Sequence, residues 1–276
     1  MLNNLMYNFI EIIQYMKIPL IIGLLLSITA AVIGVVLVLK RYSMIGDGLS
    51  HVGFGCVAVA LAVGAQPLFV SIPCVVIAAY ILLRLGENKK VNGDAAIALI
   101  SSSALAIGYI VGNLADGFSS DINSYMFGSI TTATVFDLYY IVPITIVILV
   151  VFSLLHNRLF SVTFDENFAK ASGMNTKAYS MFLAFSTAIV VVIGIKVMGT
   201  LLISSLIIFP ALTSMKLFHN FKKVVISSII VSAASFLIAF FVFTRYSSAA
   251  SIVIVNLVFY IIACIYNFIA SKLIKG

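Results

Sequence analysis

Nine stretches of this chain stay apolar for close to twenty residues each: Ile18–Leu39, Met44–Ala65, Pro67–Leu85, Asp94–Leu114, Leu138–Leu155, Ala178–Ile195, Val197–Leu217, Val224–Phe243 and Ser248–Ala270. An α-helix needs about 20 such residues to cross a hydrocarbon core ~30 Å thick, where the backbone finds no water to hydrogen-bond. Membrane barrel strands would instead alternate polar and apolar residues over ~10 positions. The runs therefore predict an all-α polytopic membrane protein. It has about nine transmembrane helices, or eight and a re-entrant segment, in a single domain spanning residues 1–276. Only 9% of residues are charged, against about a quarter in soluble domains, so no water-soluble domain is expected.

Orientation follows from the basic residues, because Lys and Arg concentrate in cytoplasmic loops. With the N-terminus outside and the C-terminus in the cytoplasm, thirteen of the sixteen Lys and Arg fall inside; Lys17, Lys196 and Arg245 fall outside. The net charge of +7 is carried in ones, twos and threes at helix ends and forms no tract, which excludes a nucleic-acid surface. Glu11 and Lys17 precede a first run long enough to span, so no cleavable signal peptide is expected. In residues 1–17, Leu2, Leu5, Met6, Phe9, Ile13 and Met16 recur at helical spacing, the pattern of an amphipathic helix lying at the lipid interface. Cys56, Cys74 and Cys264 lie inside predicted spans without CxxC spacing and read as buried, inert thiols.

Within the second run, Asp47 and His51 stand one helical turn apart in Gly46-Asp47-Gly48-Leu49-Ser50-His51. An i,i+4 pair shares one helix face, ~6 Å apart along the axis. Ionisable groups at membrane depth are costly and mark a pathway or a partner. One carboxylate and one imidazole are too few for a d-block ion, which takes about four ligands, whereas two copies of the chain meeting on a two-fold axis supply two of each. Such N and O donors suit Zn²⁺ or Mn²⁺ better than Cu⁺. A structural Asp–His tie between helices and a proton relay are the alternatives. The second, fourth and seventh runs carry Gly or Pro interruptions and are the candidates for lining a path.

Two connecting segments stand out. Residues 113–137 hold Asp116, Asp121 and Asp137 with no Lys or Arg, and the stretch Asp121-Ile-Asn-Ser-Tyr-Met-Phe-Gly128 is too apolar for a free loop. It is a candidate outer cap or gate through Asp121, Ser124, Tyr125 and Phe127. On the other side, residues 161–175 predict a short helix with Asp165 as N-cap and Gly173 as C-cap, exposing Phe164, Phe168 and Ala171. A docking element or an ordinary capped connector fits this pattern. Asp94 reads as a helix N-cap, Pro210 as a kink, and Lys196 as a side chain snorkelling to the outer interface. The chain has no HExxH and no GxSxG, so no catalytic residue is assigned, and it lacks GxxxxGK[ST], so any ATP hydrolysis belongs to another chain.

These stretches resemble, in order, the membrane permeases of bacterial ABC importers for zinc, manganese and related divalent metals. Lys40-Arg41-Tyr42-Ser43-Met44-Ile45-Gly46-Asp47 through His51 is similar to the family's basic–hydrophobic–Gly-Asp-x-x-x-His signature. Asp94-Ala95-Ala96-Ile97-Ala98, Ser124-Tyr125-Met126-Phe127-Gly128-Ser129, Phe164-Asp165 through Gly173, and Val197-Met198-Gly199-Thr200 with Pro210-Ala211 resemble later family segments. Ala98 departs from the pattern, standing where the family has glycine. The resemblance implies a type II importer-like permease in the bacterial plasma membrane, assembled as a homodimer. Its implied partners are cytoplasmic ATP-binding subunits and an extracytoplasmic metal-binding protein, with no permanently bound cofactor. It further implies that Asp47 and His51 meet the transported Zn²⁺ or Mn²⁺. Phe164, Asp165, Glu166, Phe168, Ala169 and Gly173 would then meet the ATPase. A proton-coupled secondary transporter using the same pair is the alternative function, and a structural membrane scaffold a third.

Overall fold

The computed structural model describes residues 16–87, 93–114, 125–126, 128, 133–242 and 248–275. Its long helices coincide with the nine apolar runs: α1 Lys17–Leu39, α2 Ser43–Ala62, α3 Pro67–Glu87, α4 Gly93–Leu114, α5 Val135–Phe164, then a short α6 Glu166–Ala171, α7 Thr176–Met198, α8 Thr200–Leu217, α9 Phe221–Val242 and α10 Ser248–Lys275. Among the described residues eight of these are long and apolar enough to cross a membrane, and α3 carries a shorter apolar stretch, Pro67–Leu82. The expected amphipathic helix over residues 1–17 lies almost wholly outside the described residues.

Burial divides the helices into a centre and a rim. In α1, α2 and α7 about 70% of the membrane-length window is buried (72%, 67% and 72%), against 17% in α4 and 22% in α5 and α10. The central helices can approach closely because small residues sit at their contacts. A Cβ on Gly34 of α1 would overlap the Ile207 carbonyl of α8, and one on Gly55 of α2 would meet the Ala104 carbonyl of α4. Serines tie α9 to α1, with Ser232 Oγ donating to the Ser27 carbonyl at 2.8 Å.

Helix ends follow local chemistry. α1, α2 and α6 each close with paired 6→1 and 5→2 bonds: Tyr42 N to Leu37 O, Ala65 N to Ala60 O and Met174 N to Ala169 O supply the 6→1 member. The left-handed residue this closure needs is Gly64 (φ 69°) after α2 and Gly173 (φ 79°) after α6, but Arg41 (φ 61°) after α1. An arginine in that region is strained by about 1–2 kcal/mol. α5 begins with a capping box in which Thr134 and Asp137 bond each other's backbone N–H.

Three boundaries differ from the sequence reading. α5 does not stop near Leu155 but continues to Phe164, so Phe164 ends a long helix rather than opening the short one. Its buried stripe, Phe152, Leu159 and Val162, persists past the last apolar run. The break between the sixth and seventh spans falls at Gly199, not Lys196, because its φ of 83° and ψ of 165° define a backbone region open only to glycine. Asp94 lies inside the first turn of α4 rather than capping it, where its charge favours the helix dipole.

Candidate metal centre

α2 packs on α3, α4, α7 and α8. The three runs flagged for their Gly and Pro interruptions became α2, α4 and α8, and α2 touches both of the others. Gly48 faces Ile97 and Ser101 of α4, while Gly46 faces the Ile207 side chain of α8. Ile45, Leu49 and Val52 form the buried face of α2. Asp47 and His51 lie to one side of that face, 38% and 28% exposed. The pair is thus held by a rigid, buried helix while remaining reachable from outside a single chain.

His51 Nε2 stands 3.6 Å from Asp47 Oδ2. That is too far for a hydrogen bond. Two ligand atoms each ~2.1 Å from one ion at the tetrahedral angle lie ~3.4 Å apart, so the gap matches two donors on a common cation. His51 Nδ1 is buried with no hydrogen-bond partner, and leaving such an atom unsatisfied costs about 1–3 kcal/mol. The imidazole is consequently underbonded in the isolated chain. Among the described residues no third His, Cys, Asp or Glu joins the pair.

The cysteines depart from expectation. Cys74 is exposed and Cys56 and Cys264 are half-buried, and the Cys56 and Cys74 thiols are hydrogen-bonding neighbours across α2 and α3. Their adjacency arises from helix packing across eighteen residues of sequence, which no local spacing encodes.

The second polar cluster joins α5 to α7. Asp137 is buried, and its carboxylate accepts hydrogen bonds from Lys196 Nζ and the Tyr140 hydroxyl, and from Thr134 N and Oγ1 at 2.8 Å. Lys196 also donates to Tyr140 at 3.0 Å. Lys196 is therefore paired, not simply snorkelling. The sequence signals were an acid in a segment without bases and a lysine between apolar runs. Of the outer-gate candidates, Tyr125 packs half-buried against the core, while Asp121, Ser124 and Phe127 lie outside the described residues. Beside Tyr125, Met126 accepts from Thr200 Oγ1 at 3.2 Å, and Gly128 (φ 69°) lies so close to Met198 that a Cβ would overlap its carbonyl. Met126 and Gly128 thereby rest on the joint between α7 and α8.

At the opposite end, Asp165 caps α6 by accepting from Phe168 N at 2.9 Å. Glu166 and Lys170 pair at 2.8 Å along the helix. Phe164 and Phe168 are 58% and 62% exposed, whereas Ala169 is wholly buried and seats the helix from beneath. Lys40, one residue before the strained Arg41, donates to Ser180 of α7 at 3.2 Å and lies near enough to Glu166 to stabilise its carboxylate. The turn that launches α2 is thus electrostatically tied to α6.

The profile of the ABC 3 transport family matches residues 12–267. The sequence is similar to the manganese import system permease protein ScaB of Streptococcus gordonii, 26% identical over 261 residues covering 94% of this chain and 92% of that protein. It is also similar to the high-affinity zinc uptake system membrane protein ZnuB of Haemophilus influenzae, 28% identical over 231 residues covering 84% of this chain and 88% of the relative. The fold is similar to a chain of PsaBC from Streptococcus pneumoniae solved in complex with Fab, with a TM-score of 0.83 and 27% identity, covering 94% of this chain and 95% of that one.

Proposed function

Because this chain belongs to the ABC 3 transport family, we propose that it is the transmembrane permease subunit of an ATP-driven importer for Zn²⁺ or Mn²⁺, working as one domain in a bacterial plasma membrane. The observation that carries the reading is the Asp47–His51 pair, spaced at 3.6 Å like two ligands of one ion on a mostly buried helix. Relatives named for manganese and for zinc fall at comparable identity, and the donor set accepts either ion.

Two copies of the chain bring two such pairs together, completing about four ligands for a passing ion. The ion is cargo, so the site must bind weakly enough to release it. The N-terminus lies outside and the C-terminus in the cytoplasm, as the basic residues favour. This orientation turns α6 toward the cytoplasm, where Phe164 and Phe168 offer an apolar knob to an ATP-binding subunit. Asp165 and Gly173 fix both ends of that helix, and Ala169 anchors it. The Asp121–Gly128 segment, with Asp121, Ser124, Tyr125 and Phe127, faces an extracytoplasmic metal-binding protein and gates the outer mouth. No permanent cofactor is needed, because hydrolysis takes place in the partner.

The test is ATP-dependent uptake of ⁶⁵Zn²⁺ and ⁵⁴Mn²⁺ into vesicles holding this chain, its ATPase and its binding protein. Asp47→Ala and His51→Ala are each expected to lower uptake more than tenfold while co-purification with the ATPase is retained. Full uptake in both variants would overturn the site, and uptake driven by a pH gradient without ATP would point to a secondary carrier.

A further inference from the structure

α5 and α9 both lean on α1 and meet each other through the rings of His156, Phe160 and Phe164 against Phe221; beside that contact a groove of about 550 Å³ opens between them. Its floor and walls are apolar, with Val32, Phe152, Val225 and Ile229 among them, until one end, where His156, Asn157 and Lys222 line it. A second cavity of about 370 Å³ continues from that end, sharing those three residues and reaching His219. Among the described residues no carboxylate lines either cavity. Lys222 is exposed and has no carboxylate partner among the described residues, and Lys223 follows it. The His156 ring packs on Phe221 with centroids 4.9 Å apart, which holds the imidazole at the groove's mouth.

We propose that this groove binds one anionic phospholipid, its acyl chain lying along Phe152, Val225 and Ile229 and its phosphate held by Lys222, with His156 and Asn157 as hydrogen-bonding neighbours. The polarity gradient runs along the helix axes, as an amphiphile standing in a bilayer requires. In the orientation proposed above, the cationic end lies at the cytoplasmic surface, where basic pockets between helices meet lipid head groups. The location also favours lipid over a second copy of the chain. α2 packs on α3, α4, α7 and α8, whereas α5 and α9 flank α1 away from it. A two-fold dimer that unites two α2 helices leaves this groove facing the bilayer. Anionic rather than zwitterionic lipid follows from the charge: the groove end offers cations and no acid to receive a choline or ethanolamine.

Native mass spectrometry of the full chain, exchanged from detergent into mixtures of phosphatidylglycerol and phosphatidylcholine with matched acyl chains, reads this directly. Phosphatidylglycerol is expected to be retained about tenfold over phosphatidylcholine, with Lys222→Ala together with Lys223→Ala reducing the ratio to near one. Both lysines are exposed, so the variant should fold. Lys272→Ala, at the exposed end of α10, should leave the ratio unchanged. Ile226→Trp, which fills the groove from its wall, should lower retention of phosphatidylglycerol with both lysines intact. Equal retention of the two lipids, an equal effect of Lys272→Ala, or displacement by inorganic phosphate at millimolar concentration would overturn the proposal. None of these readouts depends on metal uptake, so the lipid site and the transport reading fail separately.

Discussion

At Asp137 and Lys196 the chain places opposite charges where water is scarce, and the consequence of disturbing them is asymmetric. Removing one partner strands the other, at about 3–5 kcal/mol for a fully buried pair. With Lys196 about a third exposed, the expected loss is nearer ~3 kcal/mol. Lys196→Met should therefore lower the thermal midpoint in detergent sharply, and Lys196→Met combined with Asp137→Asn, whose side-chain oxygen can still accept from Thr134 N, should recover part of it, because no orphan charge remains. A double variant as unstable as the single one would mean that the pair does more than neutralise itself. His51 presents the opposite situation, since its unsatisfied Nδ1 is a cost accepted in the isolated chain. His51→Phe is accordingly expected to leave the thermal midpoint unchanged or slightly raised while uptake is lost.

Among elements, α1 and α2 depend on the absence of side chains. Gly55→Ala would drive a methyl into the Ala104 carbonyl of α4, and Gly34→Ala would drive one into the Ile207 carbonyl of α8. Backbone cannot yield as a flexible side chain can, so each should destabilise by about 1–3 kcal/mol. Gly46→Ala meets only the tip of the Ile207 side chain at 3.1 Å and should cost less than either; the ranking of thermal midpoints checks this. The short α6 is held by its caps and by one exposed ion pair worth about 0.3–0.5 kcal/mol. The hydrogen bond from Lys170 lowers the Glu166 carboxyl most, against partial burial, with Lys40 adding to it. Its folded-state pKa being depressed, the stabilisation is present above the unfolded value and lost as pH falls through the folded one. Hydrogen exchange across α6 should thus be insensitive to this pair between pH ~6 and ~8 and quicken only below ~4. Phe168→Ala, exposed as the side chain is, should leave the fold intact and weaken ATPase stimulation and co-purification.

For the whole molecule, what matters is that among the described residues no third His, Cys, Asp or Glu joins Asp47 and His51, so the proposed site draws on two chains. If two chains complete the site, a complex trapped with its ATPase unable to hydrolyse should hold roughly one ion per two chains, measurable by elemental mass spectrometry on the purified assembly. One ion per chain would require a second ligand set on each. In the proposed assembly, the link from α6 through Lys40 to the turn before α2 is a route by which events at the ATPase would reach Asp47 and His51. Lys40→Ala should leave ATPase docking intact and reduce uptake relative to hydrolysis while keeping the trapped ion, whereas loss of Asp47 or His51 should remove the trapped ion as well.

The sequence by itself determined the class of fold, the number and approximate places of the long helices, the polar pair and both caps of α6. Each of these rests on local physics: the length of an apolar run against bilayer thickness, the cost of a charge within it, the turn that sets i and i+4 side by side, and the backbone freedom of a glycine. Only the tertiary structure decided that Lys196 meets Asp137 across 59 residues, that Cys56 lies beside Cys74, that α5 keeps a buried stripe to Phe164, and that the α1–α5–α9 side is grooved. These depend on which helix faces pack together, and membrane helices are apolar on nearly every face. Hydrophobic periodicity therefore carries little information about neighbours, and contacts between small residues and polar groups settle them instead.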